Sequence, residues 1–257
     1  KRVEEALHNL NLTLERHVAE RTAQLELANK ELEAFSYSVS HDLRAPLRHI
    51  DGFAGLLLKN DGPLVSERGR RHLDHIAGAA KQMGTLIDDL LVFSRMGRSE
   101  MRITMVDLNK LVEETIHALR LETHERNIRW VRGDLPVVRG DLPMLRQVYV
   151  NLLSNSVKYT RPRDPAVIEI GCRGDADGEI VFHVRDNGVG FEMEYVHKLF
   201  GVFQRLHRAE DFEGTGIGLA NVRRIVTRHG GRTWAEGKPN EGASVYFTLP
   251  KSPATQS

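Results

Sequence analysis

Four short runs hold the residues of this chain whose types and spacing could do chemistry. The first is His41-Asp-Leu-Arg-Ala-Pro-Leu-Arg48. On a helix turning roughly 100° per residue, the apolar residues Val39, Leu43, Ile50 and Leu57 gather on one face. His41 lies about 200° from Val39, almost opposite that stripe, so its ring should face water. A lone histidine there is ordinarily a solvated surface group. Its neighbours argue for more. Asp42 can hydrogen-bond one ring nitrogen, fix the tautomer and raise the basicity of the other nitrogen. Arg44 and Arg48 could attract phosphates or an acidic partner. Pro46 removes a helix donor and crowds the Asp42 carbonyl, so a kink is expected one turn beyond His41.

The other three runs lie in the second half. Asn151 and Asn155 stand four apart on one helical face, with Lys158 a further turn along. Amide oxygens can ligate Mg2+ and an ammonium can meet phosphate, although exposed Asn and Lys are also ordinary helix surface. Asp186-Asn-Gly188-Val-Gly190 follows an alternating strand pattern. Its glycines would let backbone approach a ligand, and its carboxylate could accept a bond from an adenine amino group. As an isolated tripeptide, Asp-Asn-Gly is a common turn. Gly214-Thr215-Gly216-Ile217-Gly218-Leu219-Ala220 opens a helix, where glycine backbone can cradle phosphate. The dinucleotide fingerprint does not fit, because Leu219 stands where it needs Gly or Ala and no first βαβ unit precedes it. His72 and His75, three apart, could ligate a metal, but no carboxylate constellation accompanies them and they are read as a solvated helix flank.

The elements that must position these runs fall into two textures. Val3, Leu7, Leu10, Leu14 and Val18 form a heptad-like seam with a stutter, resuming at Leu25, Ala28, Leu32, Phe35 and Val39. Such a seam pairs with another helix, or lies as a lone amphipathic helix against a neighbouring domain. It continues to the turn cluster Asn60-Asp61-Gly62-Pro63. A second stripe, Leu73, Ile76, Ala80, Met83, Ile87, Leu90 and Ser94, ends at Gly97. Two helices joined by a short turn make an antiparallel hairpin, and two such hairpins bury their faces as a four-helix bundle. Beyond Arg98 the pattern predicts helices over Val106–His124 (capped near Asp107 or Asn109), Asp141–Thr160 and Ile217–His229. Strands are predicted over Ile128–Arg132, Val137–Arg139, Ala166–Arg173, Glu179–Asp186, Thr233–Glu236 and Ala243–Leu249. That order suggests a mixed sheet with helices on one face, an α/β sandwich.

Composition narrows the partners. The 257 residues carry 36 Lys and Arg against 35 Asp and Glu, a formal charge of +1, with no basic block, so nucleic acid is not expected. Cys172 is the only cysteine, which rules out an intrachain disulfide framework and fits a cytoplasmic location. No apolar run reaches the roughly 18 residues of a membrane span, and no signal peptide is read. The chain opens at Lys1 inside a helical pattern and is read as a fragment whose upstream part is missing.

Residues 33 to 97, through His-Asp-Leu-Arg-Ala-Pro-Leu, resemble the dimerisation and phosphoacceptor domain of sensor histidine kinases, especially the phytochrome-like kinases. The later runs, with Phe200-Gly-Val-Phe203-Gln-Arg-Leu-His between them, resemble over residues 103 to 250 the ATP-binding domain shared by histidine kinases, gyrase-type ATPases and heat-shock ATPases. The resemblance implies a helical hairpin forming a dimeric four-helix bundle with an N-terminal coiled coil, then an α/β sandwich ATP-binding domain. The expected divisions are 1–34 coiled-coil signalling helix, 35–97 dimerisation and phosphoacceptor domain, 98–105 linker, 106–250 ATP-binding domain and 251–257 disordered tail. It also implies the roles: His41 as phosphoacceptor with Asp42 as its acid–base neighbour, and Asn155 on Mg2+ with Asn151 in support. Lys158 would contact phosphate, Tyr159 flank the base and Asp186 read adenine, with Gly188 and Gly190 shaping the pocket. Gly214, Thr215, Gly216, Gly218 and Leu219 would form the hinge and phosphate contacts of a short lid over residues 206–213, and Arg205 and Arg208 would reach the γ-phosphate. The implied cofactors are ATP and Mg2+. The implied partners are a second copy, a response regulator receiver domain and an upstream sensor domain.

Two departures from related patterns matter. Many relatives carry Thr or Asn four residues after the histidine to position water for dephosphorylation; here Ala45 stands there, so strong phosphatase activity is not expected. Hydrolysing ATPases carry Glu four residues before the metal-binding Asn; here Asn151 stands there, so the phosphoryl group should go to His41 rather than to water. Alternatives remain: a degenerate kinase acting as a scaffold, in which ATP sets only conformation, or a gyrase-like hydrolase.

Overall fold

The computed structural model describes residues 2–60, 64–95, 100–174, 178–208 and 211–251. It divides into two units, residues 1–95 and 96–257. In the first, α1 runs Arg2–Asn60 and α2 runs Glu67–Arg95. One continuous helix passes through Pro46. Ser66 starts α2, its hydroxyl accepting from the Gly69 amide at 3.2 Å, which satisfies one of the donors a helix start leaves free. Two cross-helix ion pairs fix direction and register. Arg44 meets Asp88 at 2.8 Å and Asp51 meets Lys81 at 4.0 Å. Seven residues forward on α1 is seven back on α2, so the hairpin is antiparallel. Ser40, Ala54, Ala80, Ile87 and Leu91 are buried in this unit, whereas Ile50, Phe53, Leu57, Ile76 and Met83 are exposed. The turn at 61–63 and the expected stop at Gly97 lie outside the described residues.

In the second unit a five-stranded sheet has the order β2-β4-β5-β7-β6. Its strands are β2 (Ile128–Arg132), β4 (Ala166–Gly174), β5 (Glu179–Asp186), β6 (Thr233–Lys238) and β7 (Gly242–Pro250). Only β2 and β4 run parallel; the other neighbours are antiparallel. Alternation decides the faces. Ile168, Ile170, Phe182, Val184, Phe247 and Leu249 point into one core with Leu145, Val148, Tyr149 and Leu152 of α4 (Leu142–Tyr159). Helices α3 (Leu108–Glu122) and α5 (Gly218–Arg228) contribute Leu111, Val112, Val222 and Ile225 to that core. The opposite face carries the stacked Trp234 and Tyr246 rings. This is the mixed sheet with helices on one face that the patterns suggested.

The structure differs from the sequence reading at several places. Ile103–Asp107 is a strand, β1, paired antiparallel with β3 (Val137–Asp141) as a separate two-stranded sheet. The sequence pattern predicts linker for part of that segment and helix from Val106 at its end. Only Val106 of the strand is buried, so no apolar alternation announces it. Asp107 caps α3, its carboxylate accepting from the Asn109 and Lys110 amides, so the helix starts at Leu108 rather than Val106. A 3-10 helix at Met193–Lys198 has neither a side-chain cap nor a buried residue, so the sequence pattern does not predict it. The middle of the expected 174–178 turn and all of the expected disordered tail except Lys251 lie outside the described residues; Lys251 donates its amide to the Gly178 carbonyl at 2.8 Å.

Candidate functional site

On α1 the His41 side chain is 73% exposed, beside the buried Ser40. The ring is in solvent, but so are Leu43, Ile50 and Leu57 of the stripe it was expected to oppose. His41 Nδ1 lies 3.2 Å from Asp42 Oδ1, leaving Nε2 without a described partner. Arg44 pairs with Asp88 of α2 at 2.8 Å. Arg48 and Ala45 are exposed.

In the second unit, α4 begins at a dense polar junction. The Asp141 carboxylate accepts from the Met144 amide at 3.0 Å and from the Arg102 amide at 2.9 Å. The Asp141 amide donates to His229 Nε2 at 3.0 Å, while His229 Nδ1 faces the Ile225 carbonyl at 2.8 Å. From that start α4 delivers Asn155, Ser156 and Tyr159 to a cavity. Asp186 at the end of β5, Gly190 beyond it and Leu219 at the start of α5 complete the wall expected from sequence. The remainder of the lining is mainly apolar, including Leu152, Val184 and Phe191.

Asp186 is the polar anchor of this cavity. Ser156 Oγ donates to Oδ2 at 3.1 Å and the Gly188 amide to Oδ1 at 2.9 Å. Burial pushes the carboxyl pKa up, opposed by the hydrogen bonds from Gly188, Ser156 and Ala243. An oriented carboxyl set in an apolar pocket suits a flat ligand with one amino edge. Gly190 adopts φ +64°, and a Cβ there would lie 1.9 Å from the Lys238 carbonyl oxygen, so only glycine fits. Gly188 is similarly pressed on the Tyr159 carbonyl, which also accepts from the Val189 amide at 3.1 Å.

Cationic groups gather beside the cavity. Lys158 Nζ sits 4.3 Å over the Tyr159 ring and 3.1 Å from where a Cβ on Gly214 would be. Burial first, then Arg205 and Arg161, lower its pKa to about 8, with Glu213 opposing. Arg205 donates to the Phe212 carbonyl, and Arg161 pairs with Glu213. Asn151 lies behind this group: its Oδ1 accepts from Gln147 at 3.4 Å and is 3.4 Å from a Cβ position on Gly218. Its Nδ2 is buried with no hydrogen-bond partner. Gly214 and Gly216 take φ of +141° and +76° around the half-buried Thr215. Arg208 does not join the cluster; it is exposed, and its carbonyl accepts from the Asp211 and Phe212 amides. Sequence reasoning did not single out Ser156, Arg161, His207 or Phe212. Ser156 could have been found as the neighbour of Asn155 on the buried side of α4; the others lie in irregular chain with no periodicity to place them.

Asn155 lines the cavity, and a side-chain amide oxygen is the kind of donor a hard cation takes.

Comparison with known proteins gives the following. Residues 31–99 match the His Kinase A (phospho-acceptor) domain family. Residues 140–253 match the family described as histidine kinase-, DNA gyrase B-, and HSP90-like ATPase. The phytochrome-like protein Cph1 of Synechocystis sp. is 31% identical over 248 residues, 96% of this chain and 33% of that protein. The chain thus spans about a third of that relative's length. The crystal structure of full-length ShkA in complex with AMPPNP is similar with a TM-score of 0.64 and 25% identity, covering 86% of this chain and 46% of that one. Histidine kinase ThkA, solved in complex with response regulator protein TrrA, shares the fold with a TM-score of 0.59 and 22% identity, over 87% of this chain and 63% of that one.

Proposed function

Because this chain belongs to the histidine kinases, a phospho-acceptor domain followed by an ATPase-type domain, we propose that it moves the γ-phosphoryl group of ATP onto His41 and then to an aspartate of a response regulator. The observation that carries the reading is the pairing of two features on one chain. One is an exposed imidazole held by an adjacent carboxylate; the other is a cavity with an oriented carboxyl in its wall and a cationic cluster next to its Tyr159.

The roles follow from the chemistry. A ring proton on Nδ1 directed at Asp42 leaves the Nε2 lone pair free to attack phosphorus. The Nε2–P bond forms as the bond from phosphorus to the bridging oxygen breaks, and ADP leaves. The ring becomes cationic in that step, and Asp42 takes up the Nδ1 proton. Asp186 accepts from the adenine amino group, and the cavity excludes water from the base. Lys158 and Arg205 meet phosphate charge, and Gly214, Thr215, Gly216 and Gly218 let backbone approach it. Asn155, supported by Asn151, would hold Mg2+, which when bound neutralises phosphate charge. Phosphoryl transfer needs chiefly alignment and charge stabilisation, so these groups suffice. Asn151 offers no carboxylate to activate water, which favours transfer to histidine over hydrolysis.

A second copy and a receiver domain are the partners in this reading. The exposed Ile50, Phe53, Leu57, Ile76 and Met83 favour a dimer of hairpins, and the ThkA–TrrA complex supports a regulator as recipient. Among the described residues no helix is long and apolar enough to cross a membrane, and we place the reaction in the cytoplasm, where ATP is available. The test is direct. With Mg-ATP, acid-labile label should appear on the protein, vanish in His41→Gln and vanish in Asn155→Asp. Label that persists in His41→Gln refutes the assignment; steady phosphate release undiminished in that variant would favour a hydrolase.

A further inference from the structure

His207 has no role in the roles assigned above, yet it lines the same cavity as Asp186 and Asn155. Its ring centroid is 5.2 Å from that of Tyr159 and 5.4 Å from that of Phe212, and those two rings are 5.1 Å apart. The three rings therefore close a triangle at ordinary aromatic contact distance. They come from three places: the end of α4, the segment after the 3-10 helix, and the approach to Gly214. A backbone hydrogen bond also ties His207 to Gly190, the glycine beyond β5. One imidazole thus links the end of α4, the chain before Gly214 and the turn beyond β5. Burial lowers its proton affinity, Lys158 adds to that, and Gly190 and Asp211 oppose it. A ring kept neutral can lie against an apolar ligand face without the cost of a buried charge.

We propose that His207 is a specificity-determining residue for the nucleotide base, its ring forming with Tyr159, and backed by the buried Phe212, the aromatic wall against which a purine lies while Asp186 accepts from its amino edge. This rests on the reading that the cavity takes ATP. The wall acts on the base, whereas Lys158 and Arg205 act on phosphate. Loss of the ring therefore weakens base recognition selectively.

The test uses the whole chain, with His207→Ala and His207→Phe measured by His41 labelling against Mg-ATP concentration and by competition with inorganic tripolyphosphate. His207→Ala should raise KM for ATP about tenfold, the scale of one base–aromatic contact, with the labelling rate at saturating ATP little changed. His207→Phe should restore most of the affinity, and inhibition by tripolyphosphate should be the same in all three proteins. An unchanged KM in His207→Ala overturns the proposal. Equal losses for ATP and tripolyphosphate also overturn it, because they mark general damage to the site. A wild-type chain that binds tripolyphosphate but not ATP defeats the nucleotide reading itself and His207's role with it.

Discussion

Lys158 shows how much a single charge depends on what surrounds it. Its ammonium is taken out of water near Arg205 and Arg161, so its pKa falls to about 8, burial being the larger cause. Glu213, paired with Arg161, offsets part of that charge. A nucleotide phosphate placed there would stabilise the ammonium and raise the pKa again. Binding then takes up a proton once the pH exceeds about 8, and affinity must fall as pH rises from the free value toward the bound one. The slope approaches about tenfold per pH unit inside that window. Below pH 8 the lysine is already charged in the free protein and affinity should be flat on this account. Titrating Mg-ATP binding by calorimetry from pH 7 to 10 checks the sign. Lys158→Met should bind more weakly at pH 7 and lose the dependence; a variant that keeps the wild-type slope would show that another group is responsible.

At the scale of elements, α4 holds most of the cavity's polar side chains, and its start is held by Asp141 and His229. His229 accepts from the Asp141 amide through Nε2, so its ring must be neutral there. Burial lowers its pKa, with Ile225 and Asp141 opposing and Arg228 adding to the fall. The unfolded chain thus binds the proton more readily than the folded one. Stability is full above the unfolded value near 6.5 and is lost as pH falls through that value toward the folded one. Urea unfolding of the full chain at pH 7 and pH 5, followed by far-ultraviolet circular dichroism, should show the loss, and His229→Asn should be less stable at pH 7 but less sensitive to acid. Asp141→Ala should cost on the order of 1–2 kcal/mol as a lost cap, and more because the Arg102 amide also loses its acceptor.

The same elements show what the sequence could reveal. Ile128–Arg132 and Glu179–Asp186 have the same ends in the pattern and in the structure; the first alternates half-buried with exposed residues, and the second, which buries the adjacent Val181 and Phe182, is marked by its apolar run instead. The motif runs placed Asn155, Tyr159, Asp186, Gly190 and Leu219, which the fold brings to one cavity. β1 escaped because its single buried residue leaves no alternation to read. His207 escaped for a related reason. Its neighbours Tyr159 and Gly190 are distant in sequence, and only the packed sheet and helices bring them to it.

At the scale of the whole molecule, the two units differ in how completely each satisfies itself. The second has a closed core in which Leu108, Leu145, Phe182, Ile225 and Phe247 are fully buried. The first buries small or few side chains, Ala54 and Ala80 among them, and leaves Phe53 66%, Ile76 46% and Met83 44% exposed. Each large apolar side chain left in water forgoes about 1.5–3 kcal/mol, and in the proposed dimer a second hairpin would supply the missing core. Sedimentation should find a dimer whose helical signal melts at a temperature that rises with protein concentration, since association stabilises by mass action. Phe53→Glu combined with Met83→Glu should give a monomer, because charge cannot be buried unpaired in that core. The described cavity is built wholly from residues of the second unit, so nucleotide affinity in that variant should stay within about twofold of the wild type. A double variant that remains dimeric would move the association surface elsewhere; one that is monomeric but has lost nucleotide affinity would show that the cavity depends on the helical unit.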